Sequence, residues 1–191
     1  MRKISIKAVL IPALSLFVIC LVVTALLAGT DALTKDTIEA QNKQKAETSR
    51  RVVLPDADNF ESDKLGEITY YIGRDAAGEK VGFVFSTKSK GYGGDIEVMT
   101  GISADGEVTG VTLLSQSETP GLGANAAKES FTGQYKQKAP QNGFGVTKTA
   151  PANDGEIVAM TGATISSAAV TDAVNQAVAA YYELGGKGGD S

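Results

Sequence analysis

Hydrophobic and polar positions follow four different rhythms along this chain. From Ala8 to Gly29 they do not alternate at all: AVLIPALSLFVICLVVTALLAG holds no charged residue. As a helix this run spans roughly 33 Å, enough to cross the hydrocarbon core of a bilayer. A proline such as Pro12 is tolerated in a membrane helix. A cleaved signal peptide is the competing reading, with an apolar core of usually about 7–15 residues. This run is longer and ends in no small-x-small pattern, and Phe17, Val18 and Ile19 before Cys20 make no lipobox. The expectation is a single transmembrane helix over 8–29. Arg2, Lys3 and Lys7 precede it, which places residues 1–7 on the cytoplasmic side and the large domain on the extracytoplasmic side of the cell membrane. Lys35, Lys43 and Lys45, beyond the span, pull against that bias.

The second rhythm is polar. Residues 30–65 read as a stalk or linker, with a solvated helix rich in Glu, Gln, Lys and Ala over 35–51 and a turn over 55–63. The third is strand-like alternation. Thr69–Ile72 and Lys80–Ser86 flank the turn Asp75-Ala76-Ala77-Gly78, and Ile96–Ser103 and Glu107–Ser115 flank Ala104-Asp105-Gly106, a strong hairpin signal. A short helix is expected over 124–131, a loop over 140–154 and a short buried strand over 156–160. The fourth rhythm is helical: from Ser167 to Leu184, Val170, Val174, Ala177, Val178 and Tyr181 recur on one face. Ser166 or Ser167 would cap its start and Gly185 its end, leaving 185–191 as a disordered tail. The fold class is therefore α+β: one N-terminal transmembrane helix, then a domain over 66–184 with a bent antiparallel sheet and packed helices.

Composition narrows the chemistry. There are 22 acidic and 18 basic residues, which gives no basic face for nucleic acid. Histidine is absent, and Cys20 is the only cysteine, so imidazole catalysis, disulfides and thiolate metal sites are all excluded. Redox chemistry here would need a bound organic cofactor. Three glycine-bearing clusters lie between the regular elements: Gly91-Tyr92-Gly93-Gly94, Glu118-Thr119-Pro120-Gly121-Leu122-Gly123, and Thr161-Gly162-Ala163-Thr164-Ile165-Ser166-Ser167. The first two, taken singly, read as turns. The third joins a short strand to a helix and leaves Thr164 exposed at the helix start. Free N–H groups and the positive end of the macrodipole suit that position to a phosphate. Equally, its hydroxyls would serve as helix caps. The residues leave both readings open.

MTGATISSAAVTDAVNQAV (160–178), ETPGLGA (118–124) and GYGGDIEVMTGISADGEVTGVTLL (91–114) together resemble the FMN-binding domain family. Within it they resemble the branch formed by the G subunits of Rnf electron-transport complexes. The resemblance covers about Val81 to Leu184, and the single N-terminal span fits it. It implies an electron-carrying subunit of a membrane-bound, ion-translocating ferredoxin:NAD+ oxidoreductase, not an enzyme by itself. It implies FMN joined through its phosphate to Thr164 by a flavin transferase. Gly162 and Ala163 would admit the phosphate, while Thr161, Ile165, Ser166 and Ser167 would hold its oxygens. Glu118, Thr119 and Leu122 would lie beside the isoalloxazine ring, with Tyr92 lining the ring or ribityl chain. Lys128 reads as a solvated lysine and Cys20 as a packing or lipid-facing residue. The implied partners are the bilayer and the other membrane and iron–sulfur subunits. Val158 departs from the family, many of whose members have an acidic residue there. The C subunit of sodium-translocating NADH:quinone oxidoreductases is a neighbouring alternative; a membrane-anchored binding module without cofactor is one from another class.

Overall fold

A computed structural model describes residues 6–150 and 153–185; residues 1–5 of the expected cytoplasmic end and 186–191 of the expected tail lie outside them. The chain divides into two compact units, Met1–Gln44 and Lys45–Ser191. The first is helical throughout its described residues. It belongs to α1 (Ile6–Val53), a single helix that continues past the boundary of the unit. Between Leu10 and Leu27 its apolar side chains are all open to the surroundings. Among the described residues it is the one helix long and apolar enough to cross a membrane.

The second unit is built on a five-stranded antiparallel meander. Its strands are β1 (Asn59–Leu65), β2 (Ile68–Arg74), β3 (Lys80–Lys90), β4 (Asp95–Ser103) and β5 (Val108–Ser115), in spatial order β1-β2-β3-β4-β5. Register shifts between Gly73 and Arg74, Glu97 and Val98, and Gly101 and Ile102 mark irregularities that bend such a sheet. After β5 come a 3-10 turn (Gly123–Ala127), α2 (Glu129–Thr132) and a second 3-10 turn (Gly133–Tyr135). The short parallel pair β6 (Gly145–Thr147) and β7 (Glu156–Val158) follows, and α3 (Thr164–Glu183) ends the domain.

Each face of the sheet is covered. On one, Phe83, Phe85, Ile96, Val98 and Ile102 form a single buried cluster with Val170, Ala173, Val174, Ala177, Val178 and Tyr181 of α3. Each large apolar side chain so buried contributes about 1.5–3 kcal/mol. The Thr87 hydroxyl adds a bond of 2.8 Å to the Ala173 carbonyl. The Asn175 side chain accepts from the Phe144 N–H (2.6 Å) and donates to its carbonyl (3.0 Å), which ties the 140–147 loop to α3. On the other face Val53, Leu54 and Ala57, from the end of α1 and the turn after it, pack on Val84 and Met99. This seat is cut into the sheet by four strand glycines. A Cβ on Gly101 would overlap the Val53 carbonyl, one on Gly110 would press on the Val53 Cα, one on Gly73 would meet Leu54, and one on Gly82 would overlap the Ile102 carbonyl of the neighbouring strand and press on Leu54. The Thr109 hydroxyl donates to that Val53 carbonyl and Lys45 Nζ to the Leu114 carbonyl. The Arg50 guanidinium stacks 4.3 Å from the Tyr71 ring centre.

Several expectations change. The stalk expected over 35–51 is not wholly solvated, because Ser49 is buried and Arg50 is largely covered on the sheet. The turn expected over 55–63 is shorter, because Asn59–Leu65 is an edge strand. Its side chains are mostly exposed, so NFESDKL shows no alternation to read. The helix expected over 124–131 breaks at Lys128, whose backbone is extended (φ −81°, ψ 143°). The loop over 140–154 contains β6. α3 starts at Thr164, with Ala163 at the cap position and Ser166 and Ser167 inside the first turn. Gly185 does close the helix: its φ is 79° and its N–H bonds to the Tyr182 carbonyl.

Candidate functional site

The three glycine clusters, far apart in sequence, meet at one place. Pro120 and Gly121 turn the chain after β5. The Leu122 N–H returns to the Thr119 carbonyl at 3.1 Å, and Gly121 takes a left-handed φ of 80° that suits glycine. A second tight turn leads into α3: the Ala163 N–H bonds to the Met160 carbonyl at 3.0 Å, with Gly162 at φ 75°. The first bond of the helix runs from the Ser167 N–H to the Ala163 carbonyl (2.9 Å). The N–H groups of Thr164, Ile165 and Ser166 therefore precede the helical ladder and face out of its positive end.

Glu118 locks the clusters together. It is 5% exposed. One carboxylate oxygen accepts the Gly93 N–H at 2.8 Å, and the other accepts the Ser166 hydroxyl. Its own N–H bonds to Gln116 Oε1 at 2.6 Å. The neighbouring glycines leave room for this arrangement. A Cβ on Gly91 would lie 2.5 Å from Glu118 Oε1, one on Gly93 would overlap the Ser117 carbonyl, and one on Gly123 would overlap Ser166 Oγ and come within 2.6 Å of Glu118 Oε2.

Around this lock lies a cavity of about 560 Å³, lined by Tyr92, Glu118, Thr119, Leu122, Gly123, Gly162, Ala163, Thr164, Ile165 and Ser166. Nine of the eleven residues singled out in the sequence line it, and Gly123 is added. Its mouth is apolar, since Tyr92, Leu122 and Ile165 are 72%, 46% and 58% exposed. Its floor is polar at the start of α3. Among the described residues that line it there is no lysine or arginine; Lys128 is exposed and stands apart. The two expected ligands that do not reach the cavity have clear alternative placements. The buried Ser167 hydroxyl accepts the Met160 N–H (3.0 Å) and donates to the Ala163 carbonyl (2.9 Å). Thr161 opens instead onto an adjacent cavity of about 460 Å³, together with Val158 and Met160. An apolar rim over a row of free N–H groups fits a flat ring with an anionic tail, and the volume lies within the usual range for ligand sites.

Comparison with known proteins bears on this site. The FMN-binding domain matches residues 91–179 and the RnfG N-terminal region matches residues 1–51. The G subunit of the Na(+)-translocating ferredoxin:NAD(+) oxidoreductase complex of Acetobacterium woodii is 38% identical, over 93% of this chain and 94% of that protein. The chain belongs to the G-subunit family of ion-translocating oxidoreductases. The G subunit of the proton-translocating complex of Clostridium ljungdahlii is 37% identical over 86% of each chain, and its Methanosarcina acetivorans counterpart is 35% identical over 86% and 89%. Among solved structures, the C subunit of the Na(+)-translocating NADH-quinone reductase of Parabacteroides distasonis shares the fold. Its TM-score is 0.52 at 21% identity, over 61% of this chain and 62% of that one. The matched FMN-binding domain begins at Gly91, so it takes in every residue that lines the cavity.

Proposed function

We propose that this chain is the electron-carrying G subunit of an Rnf-type ion-translocating ferredoxin:NAD+ oxidoreductase, with FMN held in the cavity by a phosphoester to Thr164. The observation that carries the reading is the place of Thr164. Its side chain is exposed and lines the cavity at the first position of α3, beside the N–H groups of Ile165 and Ser166. FMN, when bound, supplies the one- and two-electron exchange that the side chains of this chain lack. The chain's own part is to hold and orient. The start of α3 stabilises the phosphate through aligned N–H groups and the macrodipole. Tyr92, Leu122 and Ile165 provide apolar cover for a ring. With no lysine or arginine among the described lining residues, retention falls to the covalent bond and not to an ion pair. That suits a domain outside the cytoplasm, away from the flavin pool. A flavin transferase would form the bond, and the bilayer with the membrane and iron–sulfur subunits of the complex would be the partners.

The test is direct. Full-length protein made with a flavin transferase should give a fluorescent band after denaturing electrophoresis and a mass increased by one FMN less one water. A colourless band of unmodified mass would overturn the reading and favour a binding module. For the orientation, with 8–29 in the membrane and 1–7 inside, protease added to spheroplasts should remove the large domain. Protection until lysis would reverse it.

A further inference from the structure

The lock at the cavity wall contains more charge than its geometry needs. Glu118 receives one backbone N–H and one hydroxyl, both neutral donors. Glutamine could keep both contacts: its carbonyl accepts the Gly93 N–H, and its amide donates to the Ser166 oxygen, since a hydroxyl can also accept. A carboxylate is costly to bury unless it is paired. Yet among the described residues no lysine or arginine forms an ion pair with Glu118, and none lines the cavity. The charge is held in place and is not cancelled.

Resting on the FMN reading, we infer that Glu118 sets the potential of the flavin: its buried carboxylate makes the cavity wall negative and lowers the reduction potential of a ring held there. Reduction adds electrons to the ring. A fixed negative charge nearby therefore raises the energy of the electron-rich form more than that of the oxidised form. Within a partly desolvated site the interaction is screened far less than in water. The same two hydrogen bonds hold the Gly91–Gly94 loop and the start of α3 at a fixed distance from the carboxylate, so its field does not average away. Glu118 acts here as a positioning and potential-setting residue, and no proton or bond is assigned to it.

The experiment compares wild type, Glu118→Gln and Ser166→Ala as full-length, flavin-loaded proteins. In-gel fluorescence is read first, then the midpoint potential by spectroelectrochemistry and the fold by far-UV circular dichroism. Glu118→Gln removes the charge and keeps the shape. Its potential should rise by at least the equivalent of a tenfold change in the reduction equilibrium, about 30 mV for a two-electron couple. Ser166→Ala keeps the charge and removes a neutral donor, so its potential should fall below the wild-type value. A fluorescent Glu118→Gln protein at the wild-type potential overturns the inference while leaving the FMN reading intact. So does a rise in Ser166→Ala, which would show that loosening the lock, and not the charge, is what matters. If Glu118→Gln fails to load, a Ser166→Ala potential below the wild-type value supports the inference, and one at or above it overturns the inference. A wild-type band without fluorescence defeats the FMN reading itself.

Discussion

Glycine serves two regions of this domain for different reasons. Beneath the end of α1, Gly73, Gly82, Gly101 and Gly110 have ordinary strand conformations and matter only for the space they leave: their missing side chains let Val53 and Leu54 rest on the sheet itself. Around the cavity, Gly121 and Gly162 are needed for their left-handed turns, while Gly91, Gly93 and Gly123 make room for a buried carboxylate and its hydroxyl partner. The first group joins a helix to a sheet, and the second shapes a site. Damage to one should therefore be read in stability and damage to the other in flavin content.

The largest expected effect is on the cavity side. Thr164→Val should abolish covalent flavin entirely, because valine keeps the shape and lacks the bonding oxygen. Thr164 is the first residue of α3, and no side-chain cap is made there. The melting temperature should therefore hardly move, as for most surface changes within about 0.5 kcal/mol. Thr161→Val, on the neighbouring cavity, should keep its fluorescence; the reverse pattern would move the acceptor. Next is Gly101→Ala. The added methyl meets the Val53 backbone, so stability should fall by about 3 kcal/mol in chemical denaturation, while the folded fraction still takes up flavin. An unchanged midpoint would show that the helix end is not seated as described. Gly123→Ala should blur the division: a methyl against Ser166 and Glu118 should lower flavin loading several-fold and cost about 1–2 kcal/mol. Full loading at wild-type stability would refute the lock. Arg50→Ala is the smallest. Loss of the stack on Tyr71 should remove about 0.5–1 kcal/mol without touching the flavin.

The same contrast explains what can be read from the sequence. The cavity glycines come in tight clusters with Pro120, Glu118 and Thr164, so local chemistry flags them. The seat glycines stand singly in separate strands. Only the register, which sets Gly73 against Gly82 and Gly101 against Gly110, brings them together. For the same reason the polar run over 35–51 reads as wholly solvated, since its final contacts are made with residues that a local pattern does not reveal. α3 is legible because its apolar positions repeat at helical spacing. Its start reads three residues late because Ser166 and Ser167 look like caps. In the structure their hydroxyls turn inward, to Glu118 and to the Met160–Ala163 turn. Strand β1 is invisible to pattern because an exposed edge strand has no buried side to alternate against.

The meander has a consequence for the order in which this protein comes into being. Every strand of the large sheet pairs with the one made just before it, so the sheet can grow as the chain emerges, through short loops that close quickly. The cavity cannot. Its wall is complete only when Ser166, on α3, reaches back to Glu118, 48 residues earlier. The cavity thus needs the chain from Tyr92 through Ser166, and Thr164 takes its place in it only as part of α3.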